Sequence, residues 1–114
     1  MIYLASPYTH EDKKIEQERV ELTINCVANL LRKNILVYSP IVYAHQMVVN
    51  FDLDGGWKQW QEMSFNMIEC CSEVWVLMLD GWEKSKGVIE EIKYASQAGK
   101  ETRYVKNKEI LIAT

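Results

Sequence analysis

The sequence predicts an α/β fold in which a central parallel sheet of four to five strands lies between two layers of helices. Two observations support this prediction. Short, almost wholly apolar segments, as expected for strands covered on both faces, alternate with longer segments of helical periodicity. The first two apolar segments also end in Ser6-Pro7 and Ser39-Pro40, where proline stops a central strand. Such alternation is typical of a three-layer sandwich of the flavodoxin-like or Rossmann-like kind.

The first part of the chain has the pattern of a strand–helix–strand unit. Residues 2–5 form the first predicted strand and residues 35–38 the second. Between them, from about Asp12 to Lys33, apolar residues recur at helical spacing, at Val20, Ile24, Val27, Ala28 and Leu31. A helix with short connections places the flanking strands parallel, with a right-handed crossover.

The rest of the chain continues the alternation. The predicted elements are a short helix over 41–49, a turn-rich segment over 51–56, an amphipathic helix over 57–71, a strand over 74–79, a helix over 86–98, a strand over 102–105 and a candidate edge strand over 110–112. The strand over 74–79 is the most clearly indicated. If it neighbours the strand that begins at Ile2, the loops that follow these two strands meet at one edge of the sheet, where ligands bind in such folds.

The totals set limits on organisation and function. A chain of 114 residues fits one domain over 1–114, with a core small enough that a second subunit would add useful burial. The net charge of −3 argues against a general nucleic-acid grip, and no apolar run has the length of a membrane span. The amino terminus lacks the pattern of a signal peptide. Cysteines at 26, 70 and 71 suggest buried thiols in a reducing compartment, so we expect a cytoplasmic protein.

The loop over 81–87 leads into a helix and is a candidate anion site. Ser85 either caps this helix or donates its hydroxyl to a phosphate, and Gly87 lets a ligand approach the first turn closely. Glu91 lies four residues after Gly87, on the same helix face, whereas Glu90 lies on another. On spacing alone, a capped surface helix with a solvated Glu91 is the commoner arrangement.

Other candidate residues follow the first two strands. Ser6 and Tyr8 end the first strand and offer a hydroxyl and a stacking ring, although ordinary turn chemistry explains them equally well. His45 is a candidate acid or base, although a lone histidine is more often structural. Trp57 and Trp60 have helical spacing, which favours a core or a subunit interface over a base-stacking platform.

Several segments, taken in order, resemble a known superfamily. They are Tyr3-Leu4-Ala5-Ser6-Pro7-Tyr8, Ser39-Pro40-Ile41 with His45, Trp75-Val76-Leu77-Met78-Leu79, Gly81-Trp82-Glu83-Lys84-Ser85-Lys86-Gly87 and Glu91-Ile92-Lys93-Tyr94-Ala95. Their order and spacing are similar to those of the nucleoside 2-deoxyribosyltransferase-like superfamily, especially its small nucleotide N-glycosidase members and its short bacterial and phage relatives. The resemblance covers nearly the whole chain.

The resemblance implies retaining glycosyl chemistry on a nucleotide or nucleoside. No cluster of His, Cys and carboxylates has the spacing of metal ligands, so we expect no metal, and we expect no cofactor. Glu91, six residues after Ser85, would attack the anomeric carbon and form a glycosyl ester while the base leaves; water or a second base would then take the sugar. Ser6 and Ser85 match positions that hold a 5′-phosphate, which favours a nucleotide hydrolase. The other expected substrate-binding residues are Pro7, Tyr8, Asp80, Trp82 and Gly87. The resemblance also implies a homodimer or larger assembly.

The sequence departs from the superfamily at the acid. The aspartate that usually protonates the leaving base is replaced by Ser64, and a hydroxyl is no carboxylic acid at neutral pH. The sequence leaves open whether His45, Asp52, Asp54, Glu62 or a neighbouring subunit substitutes, or whether no acid is needed. It also leaves two alternatives to an enzyme. One is a nucleotide-binding sensor or sponge, and the other is a structural α/β domain that mediates assembly.

Overall fold

The computed structural model describes residues 1–106. The elements in chain order are β1 (Ile2–Ala5), α1 (Lys13–Arg32), β2 (Val37–Tyr38), α2 (Pro40–Phe51), α3 (Trp57–Cys70), β3 (Glu73–Leu77), α4 (Lys86–Gln97) and β4 (Glu101–Val105). A 3₁₀ turn, Trp82–Lys84, lies between β3 and α4. None of the helices within these residues is both long and apolar enough to cross a bilayer.

The four strands form one parallel sheet in the order β2-β1-β3-β4. Leu4 of β1 stands opposite Trp75 of β3, and Val76 of β3 opposite Tyr104 of β4. The chain runs outward from β1 to β2 and then returns to the other side of β1, so the strand order reverses between β1 and β3. The predicted neighbourhood of these two strands is therefore confirmed, and their following loops share one edge of the sheet.

Each face of the sheet has its own apolar core. Alternate strand residues point to opposite faces, so Tyr3 and Val76 pack with α3 and α4, whereas Leu4 and Leu77 pack with α1. The predicted α/β three-layer sandwich with a parallel, Rossmann-like sheet is confirmed. The described residues contain four strands; the candidate fifth strand over 110–112 lies outside them.

The strand bounds differ from the prediction for local reasons. β2 is shorter than the predicted 35–38 because Asn34 has a left-handed conformation (φ 62°) and the Ile35 N–H still bonds to the Leu30 carbonyl. β3 spans 73–77 rather than 74–79 because the Leu79 N–H turns back to the carbonyl of Leu77. Helix α2 continues to Phe51, two residues beyond the predicted end.

The buried face of α1 is rotated from the predicted apolar stripe. Val20 is buried as expected, but Ile24 and Leu31 are 47% and 49% exposed. Thr23, Cys26 and Leu30 face the sheet instead. Thr23 can be buried because its hydroxyl donates to the Arg19 carbonyl at 2.7 Å, and the small Cys26 lets the helix approach the strands. All three cysteines are free; Cys26 and Cys71 are buried and Cys70 is exposed.

Candidate functional site

A cavity of about 350 Å³ opens where the loop after β1 meets the start of α4. Its walls also include one face of α2 and the first turns of α3. Ligand pockets in proteins typically measure about 300 to 1,000 Å³, so the cavity has room for one small ligand. It lies at the reversal of strand order, which is the position where Rossmann-like sheets bind their ligands.

The most unusual group in this cavity is the carboxyl of Glu91. Glu91 lies on α4, is 4% exposed and lines the cavity. The Tyr3 hydroxyl, on the central strand β1, donates a hydrogen bond to Glu91 Oε2. Burial raises the pKa of Glu91 from its usual 4.5 to about 8, and the hydrogen bond from Tyr3 partly opposes that rise. The structure thus holds a carboxyl that is close to changing its charge at neutral pH.

Ser64 extends this polar chain by one hydroxyl. Ser64 lies on α3, is 3% exposed and is hydrogen-bonded to Tyr3. Burial, and after it the charge of Glu91, raises the pKa of Tyr3 well above its usual value, so Tyr3 keeps its proton. The single proton of Tyr3 goes to Glu91, so the Ser64 hydroxyl is the donor toward Tyr3. The chain Ser64–Tyr3–Glu91 therefore directs hydrogen bonds toward the carboxyl.

The start of α4 forms the rim of the cavity. Ser85 is the N-cap, and its hydroxyl oxygen accepts the Val88 N–H at 3.3 Å. Lys84 and Lys86, on either side of it, also line the cavity. A helix N-terminus flanked by two cations favours an anionic group. A Cβ at Gly87 would come within 3.3 Å of the Trp57 ring, so glycine here allows Trp57 to pack against the first turn.

A tyrosine–histidine pair also lines the cavity. Tyr8 Oη lies 2.8 Å from His45 Nδ1, and the two rings meet edge to face. His45 Nε2 lies 3.3 Å from Gln17 Oε1 of α1. Gln17 Nε2 in turn donates to Glu21 Oε1 at 3.4 Å, which directs the Gln17 amide oxygen toward the histidine. The histidine is held at both nitrogens.

The remaining wall is apolar and aromatic. It is formed by Pro40, Ile41, Ala44, Val48, Trp57 and Trp60. The tryptophan spacing had favoured a core or an interface, but both tryptophans lie on the cavity wall. Trp60 Nε1 donates to the Asp54 carbonyl at 2.8 Å, and this bond fixes the start of α3 against the turn before it. The turn before α3 therefore places Trp57 and Trp60 at the cavity. Helical periodicity alone does not predict that placement.

Most residues singled out from the sequence come together in this cavity. They are Ser6, Tyr8, His45, Ser64, Ser85, Gly87 and Glu91. Glu91 is buried rather than solvated. Among the candidate substitutes for the missing acid, His45 lines the cavity, whereas Asp52, Asp54 and Glu62 are exposed and lie outside its lining.

Three predicted substrate-binding residues lie elsewhere. Pro7 is fully buried beneath the loop, and Trp82 packs against Tyr104 with ring centroids 5.5 Å apart. Asp80 lines a separate groove beside Arg19, and its carbonyl accepts from Arg19 Nη2 at 2.9 Å. The left-handed turn at Gly81 (φ 86°) and the 3₁₀ turn redirect the chain after β3, so the side chains of Asp80 and Trp82 do not reach the cavity.

Sequence reasoning missed Tyr3 and the two lysines at the rim. A tyrosine inside a wholly buried strand was a usable signal for Tyr3, because a buried phenol requires a hydrogen-bond partner. Lys84 and Lys86 belong to the candidate anion loop, but the sequence pattern assigns no role to their side chains. Their placement depends on the 3₁₀ turn, which the sequence pattern did not predict.

Fold and cavity together define a Rossmann-like α/β protein with a buried, polarised carboxyl at its sheet-edge pocket. Residues 1–106 match a family described as a domain of unknown function, DUF1937, and the chain belongs to that family. No curated protein matches the sequence. The resemblance to the nucleoside 2-deoxyribosyltransferase-like superfamily stays a prediction, since the family match does not connect the chain to it.

Proposed function

We propose that this protein hydrolyses the N-glycosidic bond of a nucleoside 5′-monophosphate, with Glu91 as the nucleophile. The observation that carries the proposal is the burial of Glu91 on the cavity wall together with the hydrogen bond from Tyr3. A carboxyl is seldom buried without a charged partner, and perturbed carboxyls in clefts mark candidate catalytic groups.

The cavity offers a matching environment for each part of such a substrate. The phosphate fits the start of α4, where Lys84, Ser85 and Lys86 surround free backbone N–H groups. The base fits the apolar wall formed by α2, Trp57 and Trp60. The sugar then lies between them, with its anomeric carbon toward Glu91. Ser6, which is 5% exposed and lines the cavity, faces the same space.

Glu91 acts in its ionised form. Its oxygen attacks the anomeric carbon, the bond to the base breaks, and a glycosyl ester forms. Positive charge develops on the sugar in the transition state, and the adjacent carboxylate stabilises that charge in a site shielded from water. Tyr3 holds Glu91 Oε2 in place. Water then attacks the ester, releasing sugar phosphate and regenerating the carboxylate.

A substrate panel tests the proposal. Purified protein is incubated with nucleoside 5′-monophosphates and with the corresponding nucleosides, in both the ribo and 2′-deoxy series, and free base is measured by chromatography. We expect base release from at least one monophosphate and little from its nucleoside. Glu91→Gln should abolish release, whereas Glu90→Gln, which changes the neighbouring ion-paired glutamate, should not. Faster turnover of free nucleosides would contradict the preference for nucleotides.

A second candidate function is supported by Ser64. Within the described residues, Glu91 is the only carboxylate on the cavity wall, so no second carboxyl is present to protonate a leaving base. In this second function the protein binds a nucleotide in the cavity without cleaving it and acts as a sensor or sponge for that nucleotide. Calorimetry decides: tight binding without released base, unchanged in Glu91→Gln, would favour the binder over the enzyme.

We further propose a cytoplasmic homodimer or larger assembly. The support lies on α2 and the turn after it, where Tyr43, Val49, Phe51 and Leu53 are 47%, 62%, 74% and 43% exposed. Such a concentration of exposed apolar side chains favours a partner surface. The solution mass at micromolar concentration tests this, and a purely monomeric mass would contradict it.

A further inference from the structure

The contacts of His45 fix where its protons lie. Because the Gln17 amide nitrogen is engaged by Glu21, the Gln17 oxygen faces His45 and accepts from Nε2–H. Neutral His45 therefore has an unprotonated Nδ1, which accepts the Tyr8 hydroxyl proton across 2.8 Å. When His45 gains a proton, Nδ1–H becomes the donor and the Tyr8 oxygen becomes the acceptor. The Tyr8 hydroxyl proton is then free to point into the cavity that both residues line.

We propose that Tyr8 and His45 together deliver the proton that the leaving base requires, the role that Ser64 cannot fill. This inference rests on the proposed function. Tyr8 is the group that meets the base, His45 supplies the proton through Tyr8, and Gln17 is a positioning residue that keeps Nε2 protonated. The pair lines the same cavity as Glu91 but belongs to the loop after β1 and to α2 rather than to α4, so donor and nucleophile come to the substrate from different elements.

The step balances in protons and electron pairs. As the Glu91 oxygen bonds to the anomeric carbon, the electron pair of the glycosidic bond moves to the base nitrogen. The base takes the Tyr8 hydroxyl proton, Tyr8 takes the Nδ1 proton, and His45 becomes neutral. In the second half, water attacks the anomeric carbon and the ester electrons return to Glu91. The proton of that water passes through Tyr8 to His45, which restores the starting state.

The charges around the pair are few and identifiable. Burial, and after it the charge of Glu16 on α1, raises the pKa of Tyr8, so its hydroxyl stays protonated when His45 is neutral. Glu21 lies behind Gln17 on the same helix. The charged residues that line the same cavity are Glu91, Lys84 and Lys86. The neighbours of His45 within a turn on α2 are uncharged.

A leaving group that needs no proton tests this assignment. 2′-Deoxyguanosine 5′-monophosphate is compared with its N7-methyl derivative, whose base already carries positive charge and departs neutral. We expect His45→Gln and Tyr8→Phe to slow cleavage of the unmethylated nucleotide by about 100-fold or more, the usual contribution of a general acid. Both variants should cleave the methylated nucleotide about as fast as the wild type. His10→Gln, which changes the histidine outside the cavity, is the matched control.

The pH dependence of kcat/KM is a second test of the proposal. It is measured with the nucleotide of the panel that is cleaved best. In the wild type the step needs ionised Glu91 and also consumes a proton that His45 supplies through Tyr8, so kcat/KM should not simply follow the ionisation of Glu91. In His45→Gln that proton source is absent, so the rate should rise with pH only as Glu91, whose pKa burial raises to about 8, becomes ionised. Unchanged variant profiles would overturn the inference, and so would equal slowing of both nucleotides. Wild-type protein that cleaves neither form, nor any nucleotide of the panel, would instead refute the proposed function itself.

Discussion

Two recesses at the same edge of the sheet contain similar residue types but differ in burial. The cavity beside α4 contains His45 and Glu91, and the groove beside α1 contains His10 and Glu18. In the cavity, Glu91 is buried and hydrogen-bonded to another buried side chain, Tyr3. In the groove, Glu18 is exposed.

Arg19, which lines the groove, has a structural role. Arg19 donates to the Thr9 carbonyl and to the Asp80 carbonyl, each at 2.9 Å, and so ties the loops after β1 and β3 together. Residue type alone therefore does not mark the site. Glu91, the proposed functional group, differs from the structural Arg19 by being buried while it lines an open cavity.

The largest expected effect follows from removing the donor to Glu91. Tyr3→Phe leaves a buried carboxylate without its hydrogen bond, so the pKa of Glu91 should rise further and less nucleophile is ionised at neutral pH. We expect kcat/KM at pH 7 to fall by about 100-fold or more, the scale of losing a positioned group in a catalytic step. Tyr104→Phe, on the half-exposed edge strand, is the control. Equal losses in both variants would erase the distinction between the two regions.

The next effect concerns stability against pH. The pKa of Glu91 is about 8 in the folded protein and near 4.5 when unfolded, so the folded state binds the extra proton between these values. The free energy of unfolding should therefore fall as pH rises through this window, by at most about 1.4 kcal/mol per pH unit. Denaturant titrations at several pH values should show this slope in the wild type and in Glu90→Gln. Persistence of the slope in Glu91→Gln would assign it to another group.

Two glycines distinguish structural from functional effects. At Gly81 the backbone is left-handed and a Cβ would lie 2.8 Å from Arg19 Nη2, so Gly81→Ala should destabilise the fold by about 1–2 kcal/mol. Activity per folded molecule should persist. Gly87→Ala lies in the first turn of α4, where alanine favours the helix, but its methyl would lie 3.3 Å from the Trp57 ring and would shift that part of the cavity wall by a few tenths of an ångström. It should keep stability and raise KM. The opposite pattern in unfolding and kinetic assays would reverse the assignment of the two regions.

The smallest effect concerns the exposed lysines of the rim. Lys84→Ala and Lys86→Ala should each raise KM for a monophosphate by a few fold, because one exposed charge contributes about 0.2–1 kcal/mol. The increase should shrink at high salt, while kcat stays unchanged. Lys93→Ala, further along α4 and paired with Glu90, serves as the control. An equal rise in KM in Lys93→Ala would mean that the net charge of the protein, and not the position of the two rim lysines, determines monophosphate binding.

The fold was predictable because it depends on periodicity. Apolar strands, amphipathic helices and proline stops were sufficient to predict parallel strands and the meeting of the loops after β1 and β3. The site was predictable only in part. Ser6, Ser85 and Glu91 follow from position along strands and helices, but Asp80 and Trp82 depend on a turn at Gly81 that sends them away. The environment of Glu91 depends on Tyr3, 88 residues earlier, and no local pattern records that contact.

The hydrogen bond between Tyr3 and Glu91 also has a kinetic consequence. It joins the first strand to the fourth helix, and the strands within residues 1–106 all pair in parallel, so the contacts that build the site are distant along the chain. Chains dominated by such contacts fold slowly compared with helical bundles. The Glu91 environment should therefore be among the last features to form during refolding. During refolding, helix content should therefore recover first. Base release that depends on Glu91 should recover later, when the whole site has formed.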